Sequence, residues 1–320
     1  MFRRTLYYDA ECLGAVGSHL VHITLPLANL LKSHGISYHL YADDSQKYAI
    51  FELKNYETTV SRIESLVQDI RNWYDNNMLK CNDAKTEVLL ISSKYKTLPN
   101  FIPVKVGECS IEPSQKVRNL GVTLDEHLSM EYHVNNVVKS AFHKLREIAY
   151  FRKYLTMDAA KTLIHAYVTS RVDYCNGLLF GLPNNLLNKL QSVLNTAARV
   201  VTMTRKYDSI TPVLKMLHWL PVKLRVQFKL LLLVFKCLNG QAPMYLRTKL
   251  CYKPSNNLRS SDGKLLVVPR SRMKSYGDRC FSIAGPKLWN ALPKKIRVCT
   301  DLEPFKRMLK THLFKIAFEC

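Results

Sequence analysis

Close cysteine pairs are missing from this 320-residue chain: its nine cysteines (Cys12, Cys81, Cys109, Cys175, Cys237, Cys251, Cys280, Cys299, Cys320) are scattered, odd in number and never spaced C-x-x-C. That excludes a zinc site built on close pairs and argues against a secreted disulfide framework, leaving reduced, packed thiols. A long hydrophobic run is missing too. The most apolar stretch, Phe228 to Leu238, is broken by Lys229 and Lys236 and is too short for a bilayer. Near the start, Arg3 and Arg4 are basic, but Tyr7, Asp9 and Glu11 stand where a signal peptide would be apolar. The expectation is a soluble intracellular protein, cytoplasmic or nuclear, neither secreted nor membrane-bound. With 11 glycines, the chain holds neither G-x-x-x-x-G-K-[ST] nor G-x-G-x-x-G, so a P-loop or Rossmann nucleotide site is excluded. Its 10 histidines include no H-x-x-x-H pair, and neither an internal repeat nor a low-complexity tract occurs.

Acidic residues are the other shortage. Against 47 Lys+Arg stand 25 Asp+Glu, a net charge of +22. The imbalance is local: residues 1–127 carry a net −1, residues 128–252 a net +13, and residues 253–320 a net +10. A field of that sign draws polyanions, which makes nucleic acid the expected partner. A membrane surface fits less well, because the basic residues are spread over many helices rather than one amphipathic face.

Hydrophobic periodicity then divides the chain. Residues 37–53 (SYHLYADDSQKYAIFEL) read as two short strands around a polar break at Asp43, Asp44 and Ser45. Thr58 to Leu79 sets Val60, Ile63, Val67, Ile70 and Tyr74 at helical spacing, which predicts an amphipathic helix on a sheet. Val88–Ile91 and the pieces IPVKV, CSI and KVRNLGVTL between Phe101 and Asp125 read as further strands. The order β, β, α, β, β predicts a small α+β domain. Beyond Leu128 helices are expected over 131–154, 157–172, 184–203, 210–218 and 222–238, then a turn-rich basic linker over 252–275 and a terminal helix from Leu302 to Phe318.

The residues that bear chemistry are Asp43 and Asp44, in Tyr41-Ala42-Asp43-Asp44. Adjacent carboxylates at a hairpin tip can hold hard divalent cations, and a pair of such cations can activate an attacking oxygen in phosphoryl transfer. Most D-D dipeptides are solvated turns, so context decides. HGISYHLYADDSQKYAIFE, LKCNDAKTEVLLISS (79–93) and VRNLGVTLDEHLSMEYHV (117–134) resemble, in order, the catalytic palm hairpin, the following palm motif and the primer grip of non-LTR, LINE-type retrotransposon reverse transcriptases. VDYCNGLLFGLP (172–183), LQSVLNTAARVV (190–201) and residues 210–246 are similar to that family's thumb and post-thumb region. Residues 276–297 and 301–314 are similar to its C-terminal tail.

The resemblance implies a partial polymerase palm of short antiparallel strands plus helix over 1–127, an all-α thumb and post-thumb over 128–251, and a basic linker and tail over 252–320. It implies Asp43 and Asp44 as catalytic, metal-holding residues, with Mg²⁺ or Mn²⁺ as cofactor wherever activity survives. Lys85, at the family's lysine position, would protonate the leaving pyrophosphate. The partners would be an RNA template and an RNA–DNA or DNA duplex.

The family also carries fingers, a glutamine- and glycine-rich nucleotide segment and a third metal-holding aspartate upstream of the hairpin. Here 12–31 looks like a degraded remnant of that segment, and Asp9, within LYYDAEC, does not match the third aspartate's motif. Two cations close together need roughly three carboxylates to balance them. The expectation is therefore a 5′-truncated reading frame whose product does not polymerise by itself. The alternative is a non-catalytic basic RNA- or DNA-binding module.

The densest basic patch, Lys294, Lys295, Arg297, Lys306, Arg307 and Lys310, is assigned to phosphate contacts. Trp219 and Trp289 read as packing anchors rather than base-stacking platforms, and Tyr174 and Cys175 as helix contacts.

Overall fold

The computed structural model describes residues 4–13, 19–41, 44–81, 85–94, 102–253, 264–271, 273 and 276–319. It is mixed α+β and about 59% helical, with short antiparallel strand pairs, in keeping with the expected class. Two compact units divide it, Met1–His133 and Val134–Cys320.

The first unit opens with β1 (Arg4–Leu13) and α1 (His19–Ser33), neither of which the periodicity reading had placed. The expected hairpin follows as β2 (Ser37–Tyr41) and β3 (Asp44–Phe51), then α2 (Tyr56–Asn76), β4 (Lys80–Cys81) and β5 (Glu87–Ile91). The sheet order is β2-β3-β1, with β4 and β5 both on the far edge of β1 and every pairing antiparallel. Each helix therefore joins two parallel strands with a third between them, giving two interleaved split βαβ units.

The apolar stripe of α2 decides which sheet face is covered. Val60, Ile63, Val67, Ile70 and Tyr74 are all buried, packed with Leu27 and Leu31 of α1 and with Ala49, Phe51, Val88 and Leu90 of the strands. Each such aliphatic side chain contributes roughly 1.5–3 kcal/mol by leaving water. Because side chains alternate along a strand, Asp44 and Gln46 fall on the opposite face of β3.

Two small hairpins complete the unit, β6 (Val104–Val106) with β7 (Cys109–Ile111), and β8 (Lys116–Asn119) with β9 (Val122–Asp125). Val117 and Leu124 of the second hairpin cover Leu89 and Ile91, and the Gln46 amide donates to Asn119 Oδ1.

The second unit is helical. α3 (Glu131–Phe151) leads into it, and α4 (Met157–Ile164) continues through a wide π segment (His165–Thr169) into α5 (Ser170–Asp173). Then come α6 (Asn184–Thr202), α7 (Thr211–Met216), α8 (Val222–Leu238) and α9 (Met244–Arg247). α10 (Phe281–Asn290), α11 (Lys294–Arg297) and α12 (Leu302–Phe318) close the chain.

The long helices match the expected spans within a few residues. The segment expected as a separate tail shares a core with α8. Leu266, Trp289, Phe305 and Leu309 pack with Leu231, Val234 and Phe235, and Phe305 stacks on Phe235 at 4.2 Å between ring centroids. Among the described residues, no helix is long and apolar enough to cross a membrane.

Candidate functional site

Tyr41 ends β2 and Asp44 begins β3, and the register closes with these two residues opposite each other. Asp43 and Ala42 lie outside the described residues. Asp44 is half-buried, on the strand face turned away from the helices. Beyond it the strand becomes tightly packed: Ser45, Gln46 and Lys47 are buried, and the Lys47 ammonium donates to the Ser45 hydroxyl at 2.6 Å.

The register also bears on the third carboxylate. β1 runs alongside β3 with Glu11 opposite Asp44 and Asp9 opposite Gln46. Acidic positions from the first dozen residues thus stand next to the hairpin in the backbone pairing. Among the described residues, however, no group of three or more His, Cys, Asp or Glu side chains comes together as a metal cage. Of the two motif aspartates Asp44 is the described one, and Ser45 and Gln46 follow it along the strand. Lys85 is exposed, two residues ahead of β5.

The basic positions separate. Lys294 and Lys295 are exposed on α11, whereas Arg297 is half-buried, with its Nε and one Nη carrying no hydrogen-bond partner among the described residues. On α12, Lys306 is held by Glu303 at 2.6 Å and Arg307 is exposed. Lys310, one turn on, lines a cleft together with Lys161 and Lys229.

That cleft holds what the sequence reading missed. Arg225 of α8 donates through two nitrogens to the Asp173 carboxylate, at 3.0 and 2.7 Å. Asn176 Nδ2 donates to the same carboxylate at 3.2 Å. The signal was present in V-D-Y-C-N-G, where Asp173 and Asn176 flank the Tyr174 and Cys175 that had been read as helix contacts. His165 lies on the same wall. Burial pushes its imidazole below the ordinary value, and the nearby Arg225, Lys161 and Lys310 charges push the same way against an opposing pull from Asp173. The two tryptophans also part ways. Trp289 Nε1 donates to the Lys264 carbonyl at 2.8 Å, as a packing anchor should, whereas Trp219 Nε1 is buried with no partner among the described residues.

Compared with known proteins, the chain matches no family model and no curated protein.

Proposed function

We propose that this chain is part of a LINE-type reverse transcriptase, comprising the palm from its catalytic hairpin onward, the thumb and the tail, and that by itself it grips nucleic acid without polymerising. The observation that carries the reading is the motif Tyr41-Ala42-Asp43-Asp44, whose Tyr41 ends β2 and whose Asp44 begins β3 of a split βαβ sheet, with a strongly basic helical unit following in the sequence. Lys294, Lys295, Arg297, Lys306, Arg307 and Lys310 supply phosphate contacts in this reading, and Asp43 and Asp44 are what remains of the metal site.

A primer-extension assay on an RNA template with Mg²⁺ or Mn²⁺, run beside a duplex-binding titration at stepped salt, tests it. Duplex binding that weakens linearly in log K against log salt, without extension, is the expected result. Template-dependent product that disappears in Asp43→Ala would overturn the inactivity. Absence of binding at low salt would remove the nucleic-acid reading altogether.

The second reading, a non-catalytic basic RNA- or DNA-binding module in which the Asp pair is vestigial, is favoured by the net +24 carried by Val134–Cys320. It predicts no Mn²⁺-dependent broadening of resonances near Asp44.

A further inference from the structure

Within the unit Val134–Cys320 lies a cleft of about 480 Å³, in the range that holds small organic ligands. Three elements bring cations to it: Lys161 from α4, Lys229 from α8 and Lys310 from α12. None of the three is ion-paired among the described residues. The one guanidinium on the wall, Arg225, is neutralised by its two-pronged contact with Asp173, which fixes its place instead of leaving its charge available. The cleft therefore carries an unbalanced positive charge between protein walls, where a field is focused rather than dissipated in water.

The rest of the wall is aromatic and under-bonded. Trp219 and His165 lie with ring centroids 5.2 Å apart, and Phe228 joins them. Trp219 is only 3% exposed and Asn176 only 2%, yet the indole Nε1 and the amide Oδ1 have no hydrogen-bond partner among the described residues. An orphaned buried donor or acceptor costs about 1–3 kcal/mol, so a fold that keeps one of each beside a cationic cleft calls for something to satisfy them. A bare phosphate offers no flat face to Phe228 and His165. A nucleotide brings both kinds of group on its base and sugar, a flat face for the aromatics, and an anion for the lysines. The wide π turn that starts at His165 lies on the same wall, and such turns recur at binding sites.

We propose that this cleft takes one nucleoside monophosphate unit, its phosphate held by Lys161, Lys229 and Lys310 and its base set against Phe228 and His165, beside the edge of the Trp219 indole. The unit is one residue of a bound strand, and in that respect alone the inference rests on the nucleic-acid reading above. A free nucleotide shares the chemistry, and the measurements separate the two sources.

Calorimetric titration of the full chain with adenosine 5′-monophosphate, adenosine and inorganic phosphate is compared with anisotropy titration of a labelled single-stranded oligonucleotide. The variants are Lys229→Glu, Lys310→Glu and Trp219→Phe, with Lys139→Glu, exposed on α3, as the control. Each is checked by circular dichroism, and Lys310→Glu, at an exposed position, stands in if Lys229→Glu fails to fold. The nucleotide is expected to bind more tightly than either adenosine or phosphate, and to lose tenfold or more in both lysine variants. Trp219→Phe should lose a few-fold, and Lys139→Glu nothing. A parallel loss for the oligonucleotide supports the strand as the source, whereas a loss for the mononucleotide alone supports the cleft but moves the source to free nucleotide. Equal affinity for nucleotide and phosphate, or nucleotide affinity unchanged in a folded lysine variant, overturns the proposal. If the oligonucleotide still binds in that case, the nucleic-acid reading survives without the cleft. If the mononucleotide binds and the oligonucleotide does not, the cleft survives without that reading.

Discussion

Asp125 shows how one side chain holds a piece of backbone that would otherwise not stay in place. It is 3% exposed, and its carboxylate accepts the backbone N–H groups of His127, Ser129 and Met130 at 3.1, 2.9 and 2.9 Å, and the Ser129 hydroxyl at 3.1 Å. The loop needs that support because Leu128 and Met130 both sit in the left-handed region, at φ 46° and 63°, without being glycine. Charge-assisted hydrogen bonds to backbone donors are among the stronger ones available, and removing the acceptor leaves several donors orphaned beside a strained turn. Asp125→Ala is therefore expected to destabilise the chain by about 2–4 kcal/mol, and Asp125→Asn by less, since its one remaining carbonyl oxygen can still accept. Urea denaturation monitored by circular dichroism measures both. A change below about 0.5 kcal/mol for the alanine variant would mean that the carboxylate is not what holds the turn.

At the scale of elements, α10 and α8 meet where Gly285 removes a side chain. A Cβ there would stand 2.9 Å from Cγ2 of Val234, a stiff β-branched residue that is fully buried. Helix propensity alone would favour replacing the glycine, but the overpacking outweighs it. Gly285→Val is expected to cost roughly 1–3 kcal/mol and to lower the melting temperature by several degrees, with Gly285→Ala milder. A variant as stable as the parent would show that the helices separate without penalty.

These helices were legible because their apolar residues recur at i, i+3 and i+4: the expected span Leu302–Phe318 coincides with α12, and 222–238 with α8. β1 was not. Its alternation, Leu6, Tyr8, Ala10 and Cys12 against Thr5, Tyr7, Asp9 and Glu11, does have the period of a strand. But Ala10 and Cys12 are weakly apolar and Tyr7 is not polar enough, so the contrast between its two faces is low. Its central place is set by pairing with β3 and β5, which lie tens of residues away, and local periodicity carries no such information. The cleft was illegible for the same reason. Lys161, Asp173, Trp219, Arg225 and Lys310 are far apart in the chain, and only the packing of α4, α8 and α12 makes them neighbours.

For the whole molecule, the decisive property is how charge is shared between the two units. Met1–His133 carries a net −2, while Val134–Cys320 carries +24. A polyanion is attracted by one unit and slightly repelled by the other, so the long-range part of binding belongs to the helical unit however the hairpin is equipped. A metal-holding hairpin would add a local demand in Met1–His133, but that demand acts over a few ångströms, whereas screened charge acts over about 8 Å at physiological salt and decides where a strand first lands. Photocrosslinking of the full chain to a thiouridine-substituted RNA, with the modified peptides identified by mass spectrometry, is therefore expected to place most crosslinks beyond residue 133. Raising the salt should reduce those crosslinks together with affinity, while Asp44→Asn should leave their distribution unchanged. Crosslinks concentrated in residues 1–133 and resistant to salt would show instead that recognition begins in the sheet-bearing unit, with the excess positive charge only a solubilising surface.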